Sequence, residues 1–237
     1  MTLCDALSAC ETPQSVQATL RQTLEAYEQW AATYLPAPHN PLMQVEQAAM
    51  RRHWPDVAGK RALDLACGTG RYTRLLAEDR AGPIFALDFS AAMLRQVNDG
   101  QRIRASMMHL PFVPAAFDVV ISGLALGHAT ALPSWMSEVS RVLDENGILL
   151  YSDFHPEAAR AGMVRSFKDD QRRTITLPHS PYSVGSQRDA IESSGLAVEA
   201  LHEIRVGREF QELFPGSDAF YREWDGLPLV LIVRARK

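Results

Sequence analysis

Two short stretches hold residue types that could do chemistry together. Ala62-Leu63-Asp64-Leu65-Ala66 is an apolar run around one acid, and it stops at Cys67-Gly68-Thr69-Gly70 before a helix-like pattern (Tyr72, Leu75, Leu76). That order predicts a strand, a tight turn and a helix. Glycines let backbone approach a ligand closely, and a helix N-terminus adds a positive field. Eighteen residues beyond Gly70, a second apolar run, Ile84-Phe85-Ala86-Leu87, ends in Asp88. A carboxylate at a strand tip can accept two hydrogen bonds from the adjacent hydroxyls of a ribose. The pair points to an adenosine-containing ligand, with an ordinary strand–helix turn as the plain alternative.

The turn also discriminates among such ligands. Dinucleotide sites favour G-x-G-x-x-G, whose third glycine allows close helix–strand packing. Here Thr73 stands at that third position, and Asp64 inside the strand is a poor neighbour for a pyrophosphate. A zwitterionic sulfonium ligand carries an ammonium and no phosphate, so acids and carbonyls suit it.

The string L-D-L-A-C-G-T-G resembles motif I of the class I S-adenosylmethionine (SAM)-dependent methyltransferases. The strand ends at Ser106-Met107, Ser122-Gly123-Leu124 and Asp153-Phe154-His155 are similar to their counterparts in the same family. The likeness spans about residues 60–155, within the type 11 group that includes quinone C-methylating enzymes and the malonyl-carrier O-methyltransferase of biotin synthesis. It implies SAM as cofactor. It further implies that Ala66, Cys67, Gly68 and Gly70 face the methionine part and that Asp88 holds the ribose. Phe89 would lie on adenine, Ser106 and Met107 would meet its edge, and Leu124 would sit near the sulfonium. Two departures stand out. Serine replaces an acid often found at position 106, and Ala66 replaces the first glycine of the commoner turn. Tyr34, or Tyr27, lies on an N-terminal helix that resembles a lid over the SAM carboxylate; packing on the sheet is the alternative.

Methyl transfer asks for an aligned nucleophile about 3–3.5 Å from the methyl carbon and for exclusion of water. An acidic hydroxyl or an amine can also need a base. His128 and His155 fall just past strand ends, and His179 and Tyr182 lie in an irregular stretch that could reach the same pocket. Each is a candidate catalytic group, with a structural hydrogen-bonding role as the alternative. The same stretch carries Arg160, Arg165, Lys168, Arg172 and Arg173. These could meet an anionic substrate or form a solvated helix face.

The elements that must position these groups follow from periodicity. Residues 12–35 read as a helix capped by Thr12, with Pro13 at its first position, and 43–54 as a second helix after a proline-rich break. Strands are predicted at 61–66, 84–88, 102–106, 117–122, 147–153, 196–206 and 228–235. Helices are predicted at 71–79, 90–98, 133–144 (stopped by Gly147) and 187–194. The alternation predicts an α/β fold: a seven-stranded, Rossmann-like, mostly parallel sheet whose last strand is antiparallel, as the resemblance implies. Residues 1–59 form an N-terminal helical appendage or lid, 60–237 the SAM-binding core, and 155–186 an insertion at the acceptor site.

Bulk properties narrow the partners. The chain has 237 residues, a formal net charge of −4 and three cysteines. The charge argues against nucleic acid as a partner. Cys4, Cys10 and Cys67 read as free thiols in a cytoplasmic protein, with no signal peptide and no membrane segment expected. Seven histidines show no metal-ligand spacing. The fourth strand lacks the Asn/Asp-Pro-Pro turn used on nucleobase amines. The expected activity is methylation of a small molecule, on oxygen first and on nitrogen or carbon otherwise, by a monomer or homodimer. A SAM-binding partner or sensor without catalysis is the other reading.

Overall fold

A computed structural model describes residues 13–169, 171–213 and 218–237. Cys4, Cys10 and the predicted Thr12 cap lie outside the described residues. The helices are α1 (Pro13–Trp30), α2 (Pro41–Arg52), α3 (Arg71–Glu78), α4 (Ala91–Leu94), α5 (Leu132–Val142), α6 (Pro156–Arg160), α7 (Val184–Ser193), α8 (Arg208–Leu213) and α9 (Asp218–Trp224). The strands are β1 (Ala62–Leu65), β2 (Ile84–Asp88), β3 (Gln101–Arg104), β4 (Phe117–Gly123), β5 (Leu143–Phe154), β6 (Ser166–Lys168), β7 (Thr174–Thr176), β8 (Ala197–Arg205) and β9 (Pro228–Arg236).

Seven strands form one sheet in the order β3-β2-β1-β4-β5-β9-β8, with β6 and β7 as a separate hairpin. β3, β2, β1, β4 and β5 run parallel, and β9 enters antiparallel to both β5 and β8. The central strands are continuous apolar runs because both faces are covered. On one face Met50, Leu76, Ile121, Leu150 and Ile232 pack with α2 and α3. On the other, Leu65, Val120, Trp135, Met136 and Leu149 pack with α5 and α7. The strand order reverses between β1 and β4, and ligands of open α/β sheets bind beyond the strand ends at such a switch point.

Several predicted boundaries shift for local reasons. The first helix ends at Trp30, not residue 35, and closes in a turn at Ala31–Thr33. Pro41, read as part of a break, instead starts α2, where Asn40 Oδ1 accepts from Met43 N at 2.9 Å. α4 covers only four of the nine residues expected at 90–98. α5 stops at Val142, so Gly147 is not its stop. It lies in a fold-back of the chain where an added Cβ would come 2.7 Å from Asp144 O. The stretch 155–186 contains α6 and the β6–β7 hairpin, so its cations do not share a helix face.

Candidate functional site

β1 delivers its carboxyl end to the turn with an unusual backbone. Ala66 has φ 57° and Leu124, at the end of β4, has φ 56°. Left-handed backbone at a non-glycine residue is uncommon and costs about 1–2 kcal/mol. Both residues line one cavity at the switch point.

Asp64 is sealed in β1, with Oδ2 accepting from Thr73 N at 2.7 Å and from Thr73 Oγ1 at 2.6 Å. Thr73, the residue that replaces a glycine, thus ties the strand carboxylate to the first turn of α3. Burial pushes the Asp64 carboxyl up to about 7, against the pull of the Thr73 hydrogen bonds and of Arg71. One carboxylate edge is therefore braced while the residue still lines the cavity.

Asp88 ends β2. Its Oδ2 accepts from Gly68 N and its Oδ1 from Ser90 N, each at 2.8 Å. Burial raises its pKa, opposed by those backbone donors. The carboxylate therefore braces the glycine turn as well as facing the cavity. Glu28 of α1 accepts from Ser90 Oγ at 2.9 Å and from Ala92 N at 3.2 Å, pinning the first helix to the mouth of the site.

At the opposite end a buried polar network closes the cavity. Glu46 of α2 accepts from Tyr72 OH at 2.6 Å, from Ser152 Oγ, and from Arg71 Nη1 at 2.6 Å. A Cβ placed on Gly123 would lie 2.3 Å from the Tyr72 ring and 3.3 Å from Arg71 Nη2, so glycine is what allows that approach. Arg71, Tyr72 and Tyr34 all line this end.

Of the ten cofactor residues expected from sequence, Tyr34, Ala66, Cys67, Gly68, Asp88, Phe89, Ser106, Met107 and Leu124 line the cavity. Gly70 does not; it precedes α3 with φ 87° and packs on Val97. Phe89 is 45% exposed at the mouth. Burial raises the Cys67 thiol well above its ordinary range, which keeps it neutral.

Of the four catalytic candidates, His128 alone lines the cavity. Its Nε2 meets Tyr27 OH at 2.9 Å and Arg165 Nη1 at 3.2 Å. A guanidinium can only donate, so Nε2 carries the lone pair and the ring proton belongs on Nδ1. Burial, then the Arg165 charge, hold this imidazole well below its ordinary pKa. His155 instead caps α6 and faces Glu203 at 3.4 Å. His179 Nε2 lies 3.3 Å from the buried Asp153, and Tyr182 OH donates to Ala129 O at 2.7 Å. These three side chains serve the loops around the site. Sequence reasoning missed Glu46 and did not assign Arg71, and it left Arg165 among five cations; Arg165 turns inward while Arg160, Lys168, Arg172 and Arg173 are exposed.

A second cavity adjoins the first and shares Tyr34, Leu124 and Arg165 with it. Among the described residues no group of three or more His, Cys, Asp or Glu side chains could hold a metal, and no helix is long and apolar enough to cross a membrane. The donor set fits SAM. Asp64 and Asp88 line the cavity and suit a ligand bearing two cationic centres, and Arg71, on the same wall, can answer its single carboxylate.

Comparison with known proteins agrees with this geometry. Residues 63–151 match the family model of a methyltransferase domain. The chain is 36% identical over 141 residues to 2-phytyl-1,4-naphtoquinone methyltransferase from Thermosynechococcus vestitus, covering 55% of this chain and 62% of that protein. It is 35% identical over 106 residues to malonyl-[acyl-carrier protein] O-methyltransferase from Halorhodospira halophila, covering 41% and 36%. The chain thus spans less than two thirds of these relatives' own length. Among solved structures, a SAM-dependent methyltransferase from Mesorhizobium loti superposes with a TM-score of 0.67 at 25% identity, covering 81% of this chain and 97% of that one. Residues 63–151 are thus similar to a methyltransferase domain, and the chain has the fold of the solved SAM-dependent methyltransferases.

Proposed function

We propose that this protein transfers the methyl group of SAM to a small organic acceptor, with oxygen as the attacking atom. The observation that carries this reading is the meeting of two cavities at Leu124 and Tyr34. One has the carboxylates and close backbone approach that a sulfonium nucleoside needs. The other leaves room for an acceptor beside the same point. A SAM sensor without catalysis would have that second space filled, so the open cavity favours an enzyme. The quinone and malonyl-carrier methyltransferases among the relatives act on small or carrier-bound molecules, which supports a biosynthetic role.

When bound, SAM supplies an already activated methyl group. The protein's own part is to hold and to exclude water. Asp88 receives the ribose hydroxyls, Arg71 and Tyr34 the methionine carboxylate, and Asp64 the ammonium. We read residues 1–59 as the lid of this site and 155–186 as the acceptor-side insertion.

Calorimetric titration tests the cofactor assignment. The intact protein should bind SAM, and Asp88→Ala should weaken binding by about 1–3 kcal/mol for the lost charged hydrogen bonds. Unchanged affinity in that variant would sink the assignment.

A further inference from the structure

The second cavity has a chemistry of its own. Trp30 and Tyr34 meet edge to face at 4.6 Å, and Phe154, Phe210, Tyr221 and Leu124 complete its apolar wall. Its volume of about 540 Å3 lies within the range of pockets that enclose a ring-bearing small molecule. Arg165 is the single cationic side chain on this wall among the described residues. It lines both cavities, as Leu124 and Tyr34 do.

Arg165 is also oddly partnered. Its guanidinium is partly buried, and its hydrogen-bond partner among the described residues is the neutral His128 ring at 3.2 Å, with no carboxylate in ion-pair range. A half-desolvated guanidinium without an anion invites one, because a charged, bidentate partner recovers what solvent no longer supplies. His128 cannot play the anion. Nor is it suited to remove a proton, since Tyr27 OH and Arg165 Nη1 both point at its lone pair.

Resting on the methyltransferase reading, we infer that the acceptor is a flat, apolar, ring-bearing molecule that arrives with one oxygen already ionised. The rings lie among the aromatic side chains of the second cavity, and the oxyanion lies on Arg165 beside the transferable methyl group. Carboxylates and acidic phenols or enols belong to this class; neutral alcohols and amines do not.

The transfer step balances without a base. The acceptor oxyanion attacks the methyl carbon, a C–O bond forms, and the C–S bond breaks with its electron pair going to sulfur. One negative and one positive centre disappear together, leaving a methyl ester or ether and a neutral thioether. No proton moves, consistent with a His128 lone pair already occupied by two donors. Arg165 holds the oxyanion in place but must release a neutral product, which loses its charged hydrogen bond at that moment.

The test uses the full chain, calorimetry and two probes of equal shape. In the presence of S-adenosylhomocysteine, 2-naphthoate should bind roughly tenfold to a hundredfold more tightly than neutral 2-naphthamide. Arg165→Gln should bring the two within about threefold while leaving S-adenosylhomocysteine affinity as it was, and Arg165→Lys should keep the preference for the acid. Equal binding of acid and amide to the unaltered protein would overturn the inference. So would loss of S-adenosylhomocysteine affinity in Arg165→Gln with the acid preference intact, since Arg165 would then serve the nucleoside. Displacement of S-adenosylhomocysteine by naphthoate would overturn it as well. Failure of the unaltered protein to bind S-adenosylhomocysteine would instead count against the methyltransferase reading. The acid-to-amide ratio, measured without nucleoside too, still decides the chemistry of the second cavity in that case.

Discussion

Glu46 and Arg71 meet at 2.6 Å with side chains 0% and 6% exposed, one from α2 and one from the first turn of α3. The pair joins the N-terminal helices to the cofactor turn. Desolvating two charges is costly, and only near-complete hydrogen bonding offsets it. Here Tyr72 and Ser152 hydroxyls supply the remaining donors to Glu46.

Removing one partner should therefore hurt more than removing both. Glu46→Leu leaves the Arg71 charge stranded and should cost about 3–5 kcal/mol of stability. Glu46→Leu combined with Arg71→Met should recover a large part of that loss in urea unfolding. The double variant should still bind SAM poorly if Arg71 answers the methionine carboxylate. Recovery of stability together with full SAM affinity would remove Arg71 from the site.

Asp64 makes stability and binding pH-dependent in opposite senses. Its folded pKa of about 7 lies above the ordinary 3.8. Between those values the folded protein holds a proton that the unfolded chain has released, so stability falls as pH rises through the window and levels off above about 7. Asp64→Asn keeps an oxygen for Thr73 but cannot ionise. Its melting temperature relative to the unaltered protein should rise from pH 5 to pH 7 and then hold steady. A ligand ammonium beside Asp64 favours the charged form, so SAM binding near pH 6 should release up to about one proton. Calorimetry in buffers of different ionisation enthalpy reads that release, and Asp64→Asn should abolish it.

What could be read from sequence was what lies close together along the chain. β1, its turn and Asp88 are contiguous strand–turn–helix signals, so the residues that line this part of the cavity could be named one by one. Thr73 was visible as a departure from a dinucleotide turn, but its partner, Asp64, became evident only when the strand and α3 were placed side by side. Glu46 and Arg71 are separated by 25 residues and two connections, and nothing local in either helix marks them as a pair. Five cations between 160 and 173 looked alike because charge reports exposure, and the hairpin that turns Arg165 inward is a tertiary choice. His155 sits just past the end of β5 as expected, and His179 and Tyr182 lie in the irregular stretch that was expected to reach the pocket. Side-chain direction decides their roles, and residue spacing past a strand end does not encode it.

Gly127 shows how tightly the loop after β4 is held beside the site. A Cβ there would lie 2.0 Å from His179 Nε2, while Gly127 O accepts from Ser180 N at 2.7 Å. The imidazole thus lies directly on backbone, and the same Nε2 is 3.3 Å from Asp153 Oδ1. Gly127→Ala must push the ring away or bend the loop that carries His128, and overpacking of this kind costs about 1–3 kcal/mol. His179→Ala alone leaves Asp153 buried without its partner and should also destabilise. The two changes share one cause, so together they should cost less than the sum of each by about 0.5–3 kcal/mol. Urea midpoints of the four proteins measure that coupling. Strict additivity would mean that the loop, not the imidazole, absorbs the added methyl group, and SAM affinity in Gly127→Ala should then drop because His128 moves with it.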